Sequence, residues 1–356
     1  MGITCNDIKQ VWKKSNMDTI YIRVDMNPVI ATGHVMRCLS IADEISRLGG
    51  KVIFITADEY PIEVIHGRGY ETLVLNSDWR KMEEELPQLL DWIEEYSIKK
   101  LLVDTYQVTG SYLQKLKEVI QVFYLDDLDA FSYPVDGLIC YANYYNTFSY
   151  GNEKGKEGYY LGMEYVPLRK AFQNAEPKVI CDRIRKVLLL SGGSDSCGII
   201  ERMVEVFKDK ANMTLITVCG RFYEGYEALK EKYAKYPNLV FYQNVSNLEE
   251  YMKAVDLAIS AGGTTLYELC ALGTPAISYS FADNQLFNVK QFEKDALIDY
   301  AGDVRNEDIF ANAVLLYEKY DKDVTLRKER SVKMQQMVDG RGARRIAQIL
   351  LEQNVT

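Results

Sequence analysis

Histidine is scarce, with only His34 and His66 in 356 residues. A multi-histidine metal centre is thereby excluded, and general-base chemistry near neutral pH has few candidates. The seven cysteines (Cys5, Cys38, Cys140, Cys181, Cys197, Cys219, Cys270) stand singly, with no C-x-x-C and no histidine pair beside them. Neither a zinc knuckle nor a disulfide framework is signalled, and the thiols read as the reduced, mostly buried ones of a cytoplasmic protein. No apolar run approaches the ~18 residues that span a bilayer, and MGITCNDIKQVWKKSN at the start lacks the apolar core of a signal peptide. Stable membrane insertion is not expected. Basic charge is also short: 42 Lys and Arg against 51 Asp and Glu give a formal charge of -9. A long-range field for polyanions is absent, so nucleic acid is a poor partner. A small anion is not excluded, because backbone amides and helix N-termini hold phosphates without help from net charge.

What is present is ordinary for a folded chain: 47% hydrophobic and 26% charged residues, with 23 Gly and 8 Pro. At ~100–200 residues per domain the length favours two domains. From Thr19 onward short β-rich runs alternate with segments of helical period, the pattern of an open parallel sheet covered by helices. Strands are expected at 20–24, 52–56, 71–75, 101–104, 122–125 and 137–141. Between the first two, Val35, Cys38, Ala42 and Ile45 follow a 3-4-3 spacing that stops at Gly49-Gly50, completing a βαβ unit. The polar stretch 173–178 breaks the series, and a second one follows with strands expected at 187–190, 215–218, 239–242, 257–260 and 276–279. The fold class is therefore α/β, with two Rossmann-like parallel-sheet domains, 19–172 and 180–356, facing each other across a cleft. Residues 1–18 form an N-terminal extension with no assigned chemistry, and the second domain closes with terminal helices. There Arg327, Lys328, Arg330 and Lys333 read as a solvated helix face.

Two turns could hold a phosphate. After the run 187–190 comes Ser191-Gly192-Gly193-Ser194-Asp195-Ser196, followed by a helix; glycines allow close backbone approach, hydroxyls add donors, and the helix presents free amides. It lacks the Gly-Lys-Ser/Thr of a Walker A loop and the G-x-G-x-x-G fingerprint, so a plain tight turn is the alternative. The second is Ala261-Gly262-Gly263-Thr264-Thr265, with Glu268 one helical turn beyond Thr264. Glu268 can accept both hydroxyls of a ribose while the turn's amides meet a phosphate. Its bland alternative is a carboxylate favoured by the positive end of a helix. Further on, Asn284 and Gln285 open another helix with paired amide donors and acceptors suited to sugar hydroxyls or phosphate oxygens.

His34 follows Thr32-Gly33 at the start of the first helix, where the helix end favours a neutral imidazole able to take a proton from water. Simple N-terminal capping is the alternative. His66, in VIHGRGYE, reads as a loop or surface residue.

The segment ISAGGTTLYELCALGTPAISYSFADNQLFN resembles the donor-nucleotide region of GT-B proteins such as the MurG transferases. The order of IRVDMNPVIATGHVMRCLSIADEI, LLVDTY, LDDLDAFSYPVDGLICYANY, GMEYVPLR and LLLSGGSDS, with DGRGARRI near the end, is similar to the PseG family. These are UDP-2,4-diacetamido-2,4,6-trideoxy-β-L-altropyranose hydrolases of pseudaminic acid synthesis. The resemblance implies a UDP-sugar substrate, attack of water at the anomeric carbon with inversion, and no metal or other cofactor. It makes His34 of Gly33-His34-Val35-Met36-Arg37 the base, with UDP held by Gly192, Gly193, Ser194, Gly262, Gly263, Thr264, Thr265, Glu268, Asn284 and Gln285. Arg37 is a candidate to stabilise the departing UDP. Asp25 is a candidate to orient His34 or to hold an amide of the sugar, with a strand-end cap as the alternative. Asp127, within Asp126-Asp127-Leu128-Asp129, is read as a polar wall of the sugar site in preference to a metal site, with Asn143, Tyr165 and Arg169 as weaker candidates for the same wall. Ala31, Pro28 and Ser196 depart from the family pattern, which bears on sugar specificity more than on UDP. A GT-B glycosyltransferase and a spore-coat polysaccharide protein related to PseG are the competing expectations.

Overall fold

The computed structural model describes residues 19–27, 29–30, 32–193, 195, 197–210 and 212–352, with only the backbone of Asn284. The extension 1–18 and Pro28, Ala31, Ser194 and Ser196 lie outside the described residues. The chain forms two compact units that interleave in sequence. One runs to Cys140 and adds Asn152–Leu161 and the segment from Ala343; the other is Tyr141–Gly151 with Gly162–Gly342. This partition differs from a single cut between 172 and 180. The segment 141–151 packs with the second unit, where the Asn143 N–H donates to the Tyr267 hydroxyl (3.1 Å). The last helix packs with the first unit, where Lys100 Nζ donates to the Leu350 carbonyl (2.9 Å).

In the first unit β1 (Thr19–Val24), β2 (Lys51–Thr56), β3 (Glu71–Val74), β4 (Lys100–Asp104), β5 (Gln121–Leu125), β6 (Gly137–Cys140) and β7 (Tyr159–Leu161) pair in parallel, in the order β3-β2-β1-β4-β5-β6-β7. The helices are α1 (Gly33–Arg47), α2 (Ile62–His66), α3 (Met82–Glu95) and α4 (Gly110–Lys117). Strands covered on both faces need near-continuous apolar runs; Ile20, Ile22, Val24, Phe54, Ile55, Leu101, Leu102 and Val103 supply them, all buried. On α1 the 3-4-3 residues Val35, Cys38, Ala42 and Ile45 are buried together. Gly49 then takes a left-handed φ of 90°, and the Gly50 N–H reaches back to the Ile45 carbonyl (3.0 Å), closing the helix. One strand residue breaks the apolar pattern: Arg23 is fully buried and gives two parallel bonds to Glu85 (2.8 and 2.9 Å) and an ion pair to Asp25 (2.6 Å).

In the second unit β8 (Lys186–Leu190), β9 (Thr214–Cys219), β10 (Leu239–Gln243), β11 (Leu257–Ala261), β12 (Ala276–Ser280) and β13 (Asp299–Asp303) form a parallel sheet in the order β10-β9-β8-β11-β12-β13. Its helices are α5 (Ile199–Phe207), α6 (Tyr226–Lys232), α7 (Leu248–Ala254), α8 (Thr265–Leu272), α9 (Asp283–Lys294), α10 (Ile309–Lys322) and α11 (Val324–Met337); α12 (Gly342–Leu350) follows. Leu189, Ile199, Met203, Phe207, Leu215, Ile259 and Tyr279 are among its core. On α11 Lys328 and Lys333 are exposed, as expected of a solvated face, but the two arginines depart from it. Arg327 is fully buried and its guanidinium donates to the carbonyls of Tyr320, Cys181 and Asp182 (2.8, 2.7 and 2.8 Å), while Arg330 reaches Asp299 (3.0 Å). Arg327 satisfies main-chain carbonyls of α10 and of the segment entering the unit, and Arg330 a carboxylate of β13, needs that composition does not reveal.

Each sheet has its switch point between its first and fourth strands, β1 beside β4 and β8 beside β11. Parallel sheets place ligands beyond the carboxyl ends of the strands at that point. The register sets Val24 level with Asp104, and Leu190 level with Ser260. No helix among the described residues is long and apolar enough to cross a membrane.

Candidate functional site

In the first unit the switch point holds a carboxylate with its full complement of donors. Asp104, fully buried at the end of β4, accepts on Oδ1 from His34 Nδ1 (2.6 Å) and Arg37 Nη2, and on Oδ2 from Arg37 Nε (2.6 Å) and Cys38 Sγ (3.3 Å). A carboxylate has about four acceptor positions, and all are used. The donors sit at 34, 37 and 38, one face of α1 by the i, i+3, i+4 rule. Burial alone would raise the Asp104 carboxyl, but the Arg37 guanidinium and then His34 outweigh it and hold the group well below the usual carboxylate range. Burial, reinforced by Asp104, pushes the Cys38 thiol well up, keeping it a proton donor.

This network assigns the imidazole tautomer. A separation of 2.6 Å between an ionised oxygen and Nδ1 requires a proton between them. Nδ1 therefore donates, the Arg37 Nη2 contact at 3.1 Å is a neighbour sharing the same acceptor, and in the neutral ring the lone pair lies on Nε2. His34 does not cap its helix. Tyr106 stands edge-on to the ring (centroids 4.6 Å apart) and donates its hydroxyl to Asp127 Oδ2 (3.1 Å), which also receives Arg37 Nη1 (3.2 Å).

Several expected roles move. The residue that orients His34 is Asp104, not Asp25, whose Oδ1 instead accepts the Ala57 N–H (2.8 Å) and pairs with Arg23 (2.6 Å). Asp104 and Tyr106 are absent from the sequence-derived candidates; the spacing of His34, Arg37 and Cys38 on one helix face is a signal that could have led to a shared acceptor. Arg37 is bound to Asp104 and Asp127, which makes it the brace of the carboxylate pair. Gly33 opens α1 with nothing near its Cβ position. Asp126 accepts from Leu128 N (3.1 Å), Asp129 N (2.9 Å) and the Tyr133 hydroxyl (2.7 Å), so it shapes the turn after β5. His66 is exposed at the end of α2.

In the second unit the turn after β8 differs from expectation in one respect. The amides that start α5 are occupied: Asp195 accepts from Ile199 N (2.9 Å) and Ile200 N (3.0 Å) as well as from the Ser191 hydroxyl (2.6 Å). A carboxylate of the chain itself fills the place expected for a phosphate. Gly192 has a φ of 75°, and Gly220 is required beside it, since a Cβ there would lie 2.3 Å from the Gly192 and Gly193 carbonyl oxygens. Ser194 is outside the described residues.

In the turn after β11 the Gly262 and Gly263 N–H groups donate to the Tyr279 and Ala261 carbonyls (2.8 and 2.9 Å), and the Thr264 N–H has no acceptor among the described residues. Thr264 precedes α8 without a side-chain cap. Glu268 is half-buried, and burial pushes its carboxyl up to about 7, opposed by Arg169 and reinforced by Glu249. No hydrogen bond or ion pair to Glu268 occurs among the described residues. Arg169 donates to Glu249 (3.0 Å), so it belongs beside Glu268 in this unit. Asn143 and Tyr165 are also in the second unit, whereas Asp127 is in the first. Gln285 Oε1 accepts the Phe281 N–H (3.0 Å), which commits its carbonyl end to its own turn.

Residues 187–336 match the Glycosyltransferase family 28 C-terminal domain. The chain is 22% identical over 272 residues to an uncharacterized Methanocaldococcus jannaschii protein, covering 72% of this chain and 54% of that one, so it spans about half that relative's length. It is 23% identical over 330 residues to the spore coat polysaccharide biosynthesis protein SpsG of Bacillus subtilis, covering 89% and 93%. To the Helicobacter pylori pseudaminic acid cytidylyltransferase and UDP-2,4-diacetamido-2,4,6-trideoxy-beta-L-altropyranose hydrolase it is 26% identical over 267 residues, 73% of this chain and 44% of that one. Acinetobacter baumannii MurG shares the fold, with a TM-score of 0.72 at 13% identity over 94% of this chain and 99% of that one. The chain has the GT-B fold of that structure, built from two parallel-sheet α/β units.

Proposed function

We propose that the protein is a UDP-sugar hydrolase in which the second unit's turns take the nucleotide and His34 is the general base. The observation that carries this reading is the His34–Asp104 pair, which leaves Nε2 as the lone-pair nitrogen of a histidine held by an ionised carboxylate. Nε2 takes a proton from water, the water oxygen bonds to the anomeric carbon on the face opposite the leaving group, and the bond from that carbon to the phosphate oxygen breaks. UDP departs with the electron pair, and the sugar is released with inverted configuration. A positioned base supplies ~10²–10⁴-fold in rate, and Asp104 stabilises the imidazolium as it forms. A diacetamido, 6-deoxy sugar is the class supported by the ordered segments between 20 and 285 and by the likeness to the H. pylori protein.

The second reading is a glycosyltransferase in which the same base acts on an acceptor hydroxyl. It is supported by the match of 187–336 to a glycosyltransferase domain. The B. subtilis likeness fits either chemistry within polysaccharide biosynthesis. Incubation with a panel of UDP-sugars and no acceptor separates the two, with UDP followed by mass spectrometry and the product anomer by NMR. Release of UDP well above the blank is expected; a strict need for an added acceptor overturns hydrolysis in favour of transfer.

A further inference from the structure

We propose that Asn288 is a positioning residue for the Gly262–Gly263 turn, acting with Tyr267 and Asn143 to aim the Thr264 amide at the nucleotide's phosphates. The proposal rests on the reading of the second unit as the nucleotide-binding half. Asn288, on α9, is 6% exposed. Its Nδ2 donates to the Gly262 carbonyl (2.9 Å) and, more weakly, to that of Gly263 (3.5 Å). Its Oδ1 accepts from the Tyr267 hydroxyl (2.9 Å), which fixes the end of the amide that faces the turn. The Tyr267 oxygen accepts the Asn143 N–H (3.1 Å), and Asn143 Nδ2 donates to the Asn288 carbonyl (3.1 Å). Among the described residues the Asn143 Oδ1 is buried without a partner.

The clamp has a direction. In a trans peptide the carbonyl and the N–H that follows it point opposite ways. Holding the carbonyls of Gly262 and Gly263 toward Asn288 therefore turns the N–H groups of Gly263 and Thr264 away from it. That of Gly263 is used by the Ala261 carbonyl (2.9 Å). That of Thr264 has no acceptor among the described residues. It is left as a donor at the start of α8, where the helix end favours an anion. The neighbouring Val289 completes the arrangement, because a Cβ on Gly262 would lie 2.2 Å from Val289 Cγ1.

Calorimetric titration with UDP of the full chain and of Asn288→Ala, Asn288→Asp and Tyr267→Phe tests this, together with turnover at saturating substrate. The expected result is a Kd for UDP raised ~10-fold by Asn288→Ala and ~3–10-fold by Tyr267→Phe, as for loss of one buried hydrogen bond. Asn288→Asp, which sets a carboxylate against two carbonyls, weakens binding most. Saturated turnover of the folded fraction stays within ~3-fold, because the base is untouched. A Kd unchanged in the folded Asn288→Ala protein overturns the proposal, even if its thermal stability falls. If that protein does not fold, Tyr267→Phe decides in the same way. Failure of the unsubstituted chain to bind UDP refutes the nucleotide reading itself, and is visible before any variant is compared.

Discussion

Asp104→Asn changes one atom and is the sharpest test of the proposed base. Asp104 accepts four donors, two of them from Arg37, whose guanidinium cannot give up a proton. An amide has a single acceptor atom, so in either orientation its NH2 group confronts an Arg37 N–H. If NH2 replaces Oδ1 it also faces His34 Nδ1, which must then accept; the ring proton moves to Nε2 and the base is lost. If NH2 replaces Oδ2 the tautomer survives, but the charge that stabilises the imidazolium is gone. Both outcomes remove most of what the base supplies, so kcat/KM for UDP release is expected to fall ~10²–10⁴-fold, equivalent to ~2.7–5.4 kcal/mol of transition-state stabilisation. The assay is initial UDP release without acceptor, normalised to folded protein by thermal denaturation. UDP affinity, measured by calorimetry, stays unchanged because the second unit is untouched. Acid stability gives an independent readout. A carboxyl held below its ordinary range adds stability that is present above about pH 4 and is lost as pH falls through and below that range; the variant lacks this limb. Turnover within ~3-fold of the unsubstituted protein refutes the role of Asp104 and, with it, the Nε2 base.

His34→Asn is expected to retain UDP binding by calorimetry and lose most turnover; unchanged turnover removes His34 from the mechanism. Glu268, raised to about 7 by burial, is protonated below that pH and can accept two ribose hydroxyls only above it, so UDP affinity should rise between about pH 6 and 8, and Glu268→Gln should flatten the profile. The same sign makes its contribution to folding largest below the ordinary carboxyl range and lost as pH rises through about 7. A pH-independent Kd for UDP contradicts the ribose contact. Glu85→Ala strips the fully buried Arg23 of two bonds and leaves the Tyr112 and Ser77 hydroxyls without their acceptor, a loss of ~3–5 kcal/mol in urea unfolding; a loss under ~1 kcal/mol shows that the Asp25 pair suffices. Gly262→Ala forces a methyl group to within 2.2 Å of Val289 Cγ1, and a drop in UDP affinity of ~10-fold or more is expected; normal binding shows that the turn can shift without cost.

Eleven expected strands appear in the structure with ends shifted by one residue at most. The central ones carry the apolar runs that burial on both faces demands, with Arg23 in β1 as an exception, while the edge strands β3 and β10 are only partly buried. The two that sequence patterning does not reach, β7 and β13, are edge strands. β7 has only three residues, and β13 reads Asp-Tyr-Ala-Gly-Asp, whose aspartates suggest a turn. Asp299 is nonetheless buried because Lys319 and Arg330, distant in sequence, neutralise it. The same gap accounts for Asp195 and Arg327. A loop carboxylate looks like a helix neighbour until its amides are known, and a helix arginine looks solvated until the carbonyls above it are known.

Asp25 and Asp104 differ as partners for His34 through strand geometry, not through residue type. Side chains alternate across a strand, so Arg23 and Asp25 share one face of β1 while Ile22 and Val24 share the other. The Arg23 face meets Glu85 on α3. Parallel neighbours at the same level point the same way, and Val24 is level with Asp104, so Asp104 points to the face opposite Asp25, where α1 lies and Cys38 meets it. An aspartate on β1 two residues past Arg23 cannot reach α1 without a bulge in that strand. The sequence contains the alternation and the 34, 37, 38 spacing, but ruling out Asp25 takes the placement of α1 on the face of β1 opposite Arg23. It does not contain the order of strands that brings β4 beside β1, and only that order identifies the acceptor as the aspartate ending LLVD.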